Sequence, residues 1–207
     1  MQKSSPQERC ALATPYTSAD TTNGKRSDPV QLTRQWLEQV VVGLGLCPFA
    51  AQPLNEGRVR IQHCQARDEL ALLHSLHEEL HRLDQTPASQ LETTLLVIPH
   101  LLADFRGFNA FLDKVDALLT EFSWQGIYQV ASFHPQYCFA GTAPGDAGNL
   151  TNRAPFPLLH LIREDSLTTV LADVQHPEEI PQRNIQRMNT LNESQLRKLF
   201  PWLFNKA

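Results

Sequence analysis

Apolar residues along this chain alternate between two periods, and the alternation outlines its elements. Leu32, Trp36, Val40 and Leu44 recur at helical spacing, with Asp28 placed to cap the helix and Pro29 suited to its first position. Gly43 and Gly45 weaken the end of that helix, and Pro48 stops it just after Cys47. Residues 58–64 then alternate as a strand, with Val59, Ile61 and His63 on one face. Residues 68–83 return to helical spacing, with Leu70, Leu73, Leu76, Leu80 and Leu83 on one side. A short β-rich apolar run over 93–98 predicts a buried strand. The broadest helical stripe follows over 104–122, carried by Phe105, Phe108, Phe111, Leu112, Val115, Leu118, Leu119 and Phe122. Residues 127–133 and 158–163 read as further strands, and 166–174, 181–191 and 193–200 as short helices. Asn192 and Gln195 stand at capping-box spacing for the last of these.

The resulting order is helix, strand–helix–strand–helix–strand, a polar loop, a strand and a helical tail. Strands separated by single helices imply crossover connections and a core of parallel strands. The expected fold is therefore a single α/β domain over 28–207: about four strands in a largely parallel or mixed sheet, with flanking helices and a helical C-terminal tail. Residues 1–27, rich in Ser, Thr, Gln and Pro and without apolar period, read as a mobile leader.

Composition narrows the function classes. Hydrophobic residues make up 42% and charged residues 19% of 207, a globular balance with room for a sizeable core. A formal net charge of −4 with no basic cluster argues against nucleic acid as a partner. The longest apolar stretch, 40–51, is shorter than the roughly 20 residues that span a bilayer, so no membrane role is expected. Cys10, Cys47, Cys64 and Cys138 form neither a zinc-finger spacing nor a secreted disulfide framework, and the N-terminus lacks a signal peptide. A soluble cytoplasmic protein is the simplest account.

Candidate chemistry concentrates in 132–164. His134, Asp146, Asn149, Asn152, Arg153, His160, Arg163 and Glu164 lie there among prolines and small residues. Long ordered loops in compact domains usually carry function. His134 is suited to general acid–base chemistry, and Asp146 can orient it or hold a cation. Asp146, Asn149 and Asn152 recur every third residue; they can position a substrate, bind a hydrated cation, or satisfy the loop's own backbone. Arg153 and Arg163 can clamp a carboxylate or phosphate, while Glu164 offers Arg163 an internal ion pair. His160 is either a second acid–base group or a hydrogen-bonded core histidine. No glycine-rich phosphate loop is present, so no nucleotide cofactor is implied; cofactor and metal stay unassigned.

If the three early strands run parallel, His63, His100 and His134 fall at one sheet edge, where open α/β sheets bind ligands. They can share a metal or a proton there, or simply be solvated strand ends. Cys47, following a helix, reads as packing against Phe49 rather than as a nucleophile. His74, His77 and His81, beside the leucine stripe, read as solvated surface histidines. Phe200, Trp202, Leu203 and Phe204 are expected to close the core, with a homo-oligomeric contact as the other option.

The segments LCPFA, TTLLVIPH, DFRGFNAFL and SFHPQYCFAGT, followed by the spaced Asp and Asn residues, TNR and LHLIRE, resemble an uncharacterised bacterial family, domain of unknown function 1415 (DUF1415), over about residues 30–190. The resemblance implies no activity, cofactor or catalytic residue. From the residues themselves, two functions are expected: an enzyme using acid–base chemistry on a small anionic or polar metabolite at the 132–164 loop, or a non-catalytic protein that binds a small ligand or metal.

Overall fold

The computed structural model describes residues 28–204; the expected leader and Cys10 lie outside the described residues. Four strands, β1 (Val59–His63), β2 (Thr93–Val97), β3 (Tyr128–Phe133) and β4 (Leu158–Arg163), form one sheet in the order β1-β2-β4-β3. β1 pairs in parallel with β2, whereas β4 lies between β2 and β3 and is antiparallel to both. The first three strands therefore run the same way, but the sheet is mixed because β4 inserts between two of them. Strand order is a tertiary choice; the local alternation that marks β4 as a strand says nothing about its neighbours.

Helices cover both faces. On one side stand α3 (Glu69–Gln85) and α4 (Phe105–Glu121), joined to the sheet through Leu72, Leu76, Leu80, Phe108, Phe111 and Val115 against Leu96, Leu159 and Leu161. Burying each of these leucines and phenylalanines contributes roughly 1.5–3 kcal/mol. On the other side, α1 (Pro29–Trp36) and the C-terminal helices α6 (Ile180–Asn189) and α7 (Glu193–Leu199) close over Leu95 and Leu158. Phe200 is fully buried in that second cluster, with Trp202 and Leu203 packed beside it. A short α2 (Ala51–Asn55) precedes β1, and α5 (Glu164–Ala172) follows β4 directly.

Helix starts follow their caps. The carboxylates of Asp28, Asp68 and Asp104 accept from the amides of Val30, Ala71 and Gly107, and Asn192 and Gln195 form a reciprocal capping box. One departure lies after α1, where the chain widens into a π-helical turn over Leu37–Val42. Gly43 closes this turn: a Cβ there would stand 2.4 Å from the Gln39 carbonyl oxygen. The π-turn and α2 are irregularities that apolar periodicity does not encode.

Candidate functional site

β3 ends at Phe133, and the chain enters the polar loop at His134, which is fully buried. Its backbone amide donates to the Asn152 carbonyl at 3.1 Å, tying the start of the loop to its far end. The ring is held at both nitrogens. Nδ1 accepts from the Gln136 amide at 3.0 Å, so it is the unprotonated nitrogen, and Nε2 donates to the Leu102 carbonyl at 3.1 Å. Phe105 and Phe108 pack against it with ring centroids 5.4 and 5.2 Å away. Burial drives its pKa down to about 4; the Leu102 carbonyl and the Asp104 carboxylate oppose this, and the Arg153 charge adds to it. At neutral pH His134 is thus a neutral imidazole that offers neither ring nitrogen to a ligand.

The carboxylate felt by that ring is Asp104, the cap of α4, and not Asp146. Asp146 is exposed and closes the turn that precedes it, accepting from the Ala143 amide at 2.8 Å. Nothing in the sequence distinguishes Asp104 from an ordinary helix cap; its approach to His134 is set by how the β2–α4 connection packs against β3.

Asn149 organises the loop. Fully buried, it accepts at Oδ1 from the Phe139 amide and the Thr142 hydroxyl, both at 2.9 Å, and donates from Nδ2 to the Ala143 carbonyl at 2.8 Å. Asn152 donates to the Ser132 carbonyl at 3.3 Å and accepts from Thr151. Both amides are turned inward on the backbone, because a compact loop must satisfy its own buried carbonyls and amides. The 3₁₀ turn Ala147–Asn152 that carries them rests on α6, where Gly148 faces the Ile185 side chain.

Arg153 behaves differently. Its Nε donates to the Tyr137 carbonyl at 3.2 Å and its Nη2 to the Pro144 carbonyl at 2.6 Å. The guanidinium is half-buried, and desolvation pushes its pKa below the usual arginine value. Among the described residues no carboxylate lies within ion-pair distance of it, and Nη1 has no hydrogen-bond partner. Tyr137, whose carbonyl holds Arg153, packs at steep angles between Phe105 and Phe139 with centroids 5.0 and 4.9 Å away, and Phe139 reaches solvent. The structure therefore brings His134, Arg153, Asn149 and Asn152 together, adds Asp104 and an aromatic flank, and leaves Asp146 at the rim.

The remaining residues lie elsewhere. Arg163 pairs with Tyr128 at the start of β3, the sheet edge opposite His134. There its Nη2 donates to the carbonyls of Leu83, Thr86 and Leu91, at 2.7, 2.6 and 3.1 Å, and stitches α3 to the approach to β2. Glu164 opens α5 and, among the described residues, makes no ion pair with Arg163. His160 sits mid-strand on the face with Leu95, bonded to the Thr93 hydroxyl at 2.8 Å, and burial pushes it down to about 4. These three residues act within the framework in this geometry.

At the edge where β1 and β2 end, the rings of His63 and His100 lie 5.4 Å apart, and the Nδ1 of His63 meets the Gln65 amide at 3.2 Å. His134 does not join them as a metal ligand, since both its nitrogens are engaged. Cys47 packs in the second apolar cluster; burial raises its thiol pKa, against weaker opposition from the amides of Phe49 and Ala50. Among the described residues no helix is long and apolar enough to cross a membrane.

No curated protein and no solved structure matches the chain. The model of a family described as a protein of unknown function (DUF1415) matches residues 28–198, and the chain belongs to that family.

Proposed function

We propose that this is a cytoplasmic protein that binds a small anionic metabolite at Arg153, with the 134–153 loop as a preformed cradle. One observation carries the reading: a half-buried guanidinium fixed by two backbone carbonyls, with no carboxylate partner among the described residues and Nη1 free to donate. Desolvating a cation without a counter-charge is costly, and a carboxylate or phosphate accepting from Nη1 repays that cost. The exposed edge of Phe139 beside Tyr137 suits an apolar portion of the same ligand.

His134 serves this site as a rigid neutral post that shapes the turn. Acid–base chemistry by His134 requires either the Gln136 amide or the Leu102 carbonyl to release the ring. The binding reading is tested by thermal-shift titration with inorganic phosphate and a panel of small carboxylates. Saturable stabilisation of the wild type that disappears in Arg153→Met supports it. Equal stabilisation of both proteins, or none of either, sinks it. Assaying the stabilising ligands for turnover, with His134→Asn as control, separates a binding protein from an enzyme.

A further inference from the structure

On the opposite side of the molecule from the polar loop's α6 contact, α3 carries a second cluster of chemistry-bearing side chains. Three of the eight histidines in the chain, His74, His77 and His81, line one open cleft along this helix, of about 590 Å³, with Glu78, Arg82 and Gln85. The sequence there is His77-Glu78-Glu79-Leu80-His81, two histidines four residues apart with a glutamate after the first. On a helix that spacing puts both imidazoles on one face, one turn apart, which is how helical His pairs chelate zinc-class ions.

Among the described residues no three α3 donor atoms lie within 4.8 Å of one another, so chelation requires side-chain rotation from the positions that follow. The rings of His77 and His81 are near-parallel, 5° between planes, with centroids 6.3 Å apart. His77 is held in place by Phe122 and Trp124, at centroid distances of 4.3 and 5.3 Å. His81 is exposed and has room to rotate toward it. Among the described residues neither imidazole has a hydrogen-bond or ion-pair partner. His74 lies one turn before His77, its Nδ1 3.7 Å from the Glu78 carboxylate, so a further imidazole and a carboxylate stand exposed on the same stretch of helix. A tetrahedral zinc ion places two ligand nitrogens roughly 3.4 Å apart, which requires the exposed His81 ring to turn toward His77. Arg82 faces Glu79 at 3.5 Å, which draws its charge toward the sheet side of the helix.

We propose that the exposed face of α3 binds one divalent transition metal of the zinc class, with His77 and His81 as the chelating pair and His74 or Glu78 completing the set with water. Imidazole and carboxylate donors select zinc, nickel, copper or cobalt over magnesium and calcium. Glu78 is turned to solvent beside His74, so the site assigned is one of binding and carries no hydrolytic step.

The test uses the untagged full chain, because a purification tag would mask the signal. Zinc and cobalt are titrated by calorimetry and by the visible absorption of bound cobalt, with magnesium as comparison. One zinc per chain is expected, weakened on the order of tenfold or more by His81→Ala and again by His77→Phe. His77→Phe retains an aromatic ring against Phe122, and the exposed His81 is not needed for folding. His176→Ala serves as a second arm, since His176, Glu178 and Glu179 form an exposed group of possible ligands elsewhere. Zinc binding lost in His176→Ala but kept in His81→Ala, or no zinc binding by the wild type, overturns the proposal.

Discussion

His160 on β4 and Thr93 on β2 share a hydrogen bond of 2.8 Å whose direction is fixed by a third atom. The single proton of the Thr93 hydroxyl goes to the Leu161 carbonyl at 2.5 Å, so the hydroxyl can only accept from His160. Nε2 of His160 therefore carries the proton, and the ring is a neutral donor built into the β2–β4 pairing. Thr93→Val keeps the shape and removes the acceptor, leaving a part-buried N–H without its partner. The expected cost is about 1–3 kcal/mol, read as a lower urea midpoint with unchanged slope. A midpoint equal to wild type would mean the bond contributes nothing net.

His134 and His160 together predict an acid weakness. Both have folded-state values near 4, below the ordinary histidine value of 6.5. Above that value neither the folded nor the unfolded chain holds these protons. Below it the unfolded chain takes them up while the folded chain refuses them until about pH 4, so stability falls as pH drops through the window. From near neutrality to about pH 4.5, each ring accounts for a loss of roughly 2–3 kcal/mol. His160→Gln should lower stability near neutral pH yet shrink the acid-induced loss by about one such share. Parallel curves for variant and wild type across this range would show that the ring stays protonatable in the fold.

Arg60 on β1 and Glu79 on α3 form a two-pronged ion pair at 2.8 and 3.1 Å, and the two ends differ in exposure. The Glu79 side chain retains 7% of its surface and that of Arg60 34%. Removing either partner leaves the other, but only Arg60 can turn to water. Arg60→Met strands a buried carboxylate whose next cation, Arg82, stands at 3.5 Å, and should cost about 2–4 kcal/mol after allowance for partial solvent screening. Glu79→Gln retains an acceptor for Arg60 and should cost about 1 kcal/mol. Chemical denaturation of the two variants decides the order; the reverse ranking would contradict the burial asymmetry.

The local part of this fold is legible in the chain, and the non-local part is not. Asp28, Asp68 and Asp104 announce their helices because capping is a short-range bond, and β4 runs from Leu158 to Arg163 as its alternation indicates. Its position between β2 and β3 depends on which edges remain unpaired after collapse, which no local pattern records. The loop shows the same division. Asn149 and Arg153 are both polar residues with hydrogen-bonding capacity, and composition cannot tell that one is spent on the backbone while the other keeps Nη1 without a partner among the described residues. Arg163 resembles Arg153 in type and is ten residues on, yet β4 carries it the length of the sheet to the opposite edge. That separation follows from strand geometry once β4 is known to start beside His134.

Asn149 provides the sharpest handle on the loop, since its amide bonds to three separate points of one turn. Asn149→Asp retains Oδ1 for the Phe139 amide and Thr142, but sets a second oxygen against the Ala143 carbonyl, now 2.8 Å from Nδ2. Two acceptors facing each other in a fully buried site should cost at least about 3 kcal/mol, or the turn will open to hydrate them. Opening this turn also moves the Pro144 carbonyl that holds Arg153, so anion-dependent stabilisation should weaken along with the fold. Limited proteolysis within 138–149, thermal melting and phosphate titration of the same variant read the three consequences separately. Rapid cleavage with retained stabilisation by anions would mean Arg153 is held by something other than this turn. Uncut loop, wild-type melting and intact anion response together would remove Asn149 as the organising residue of the site.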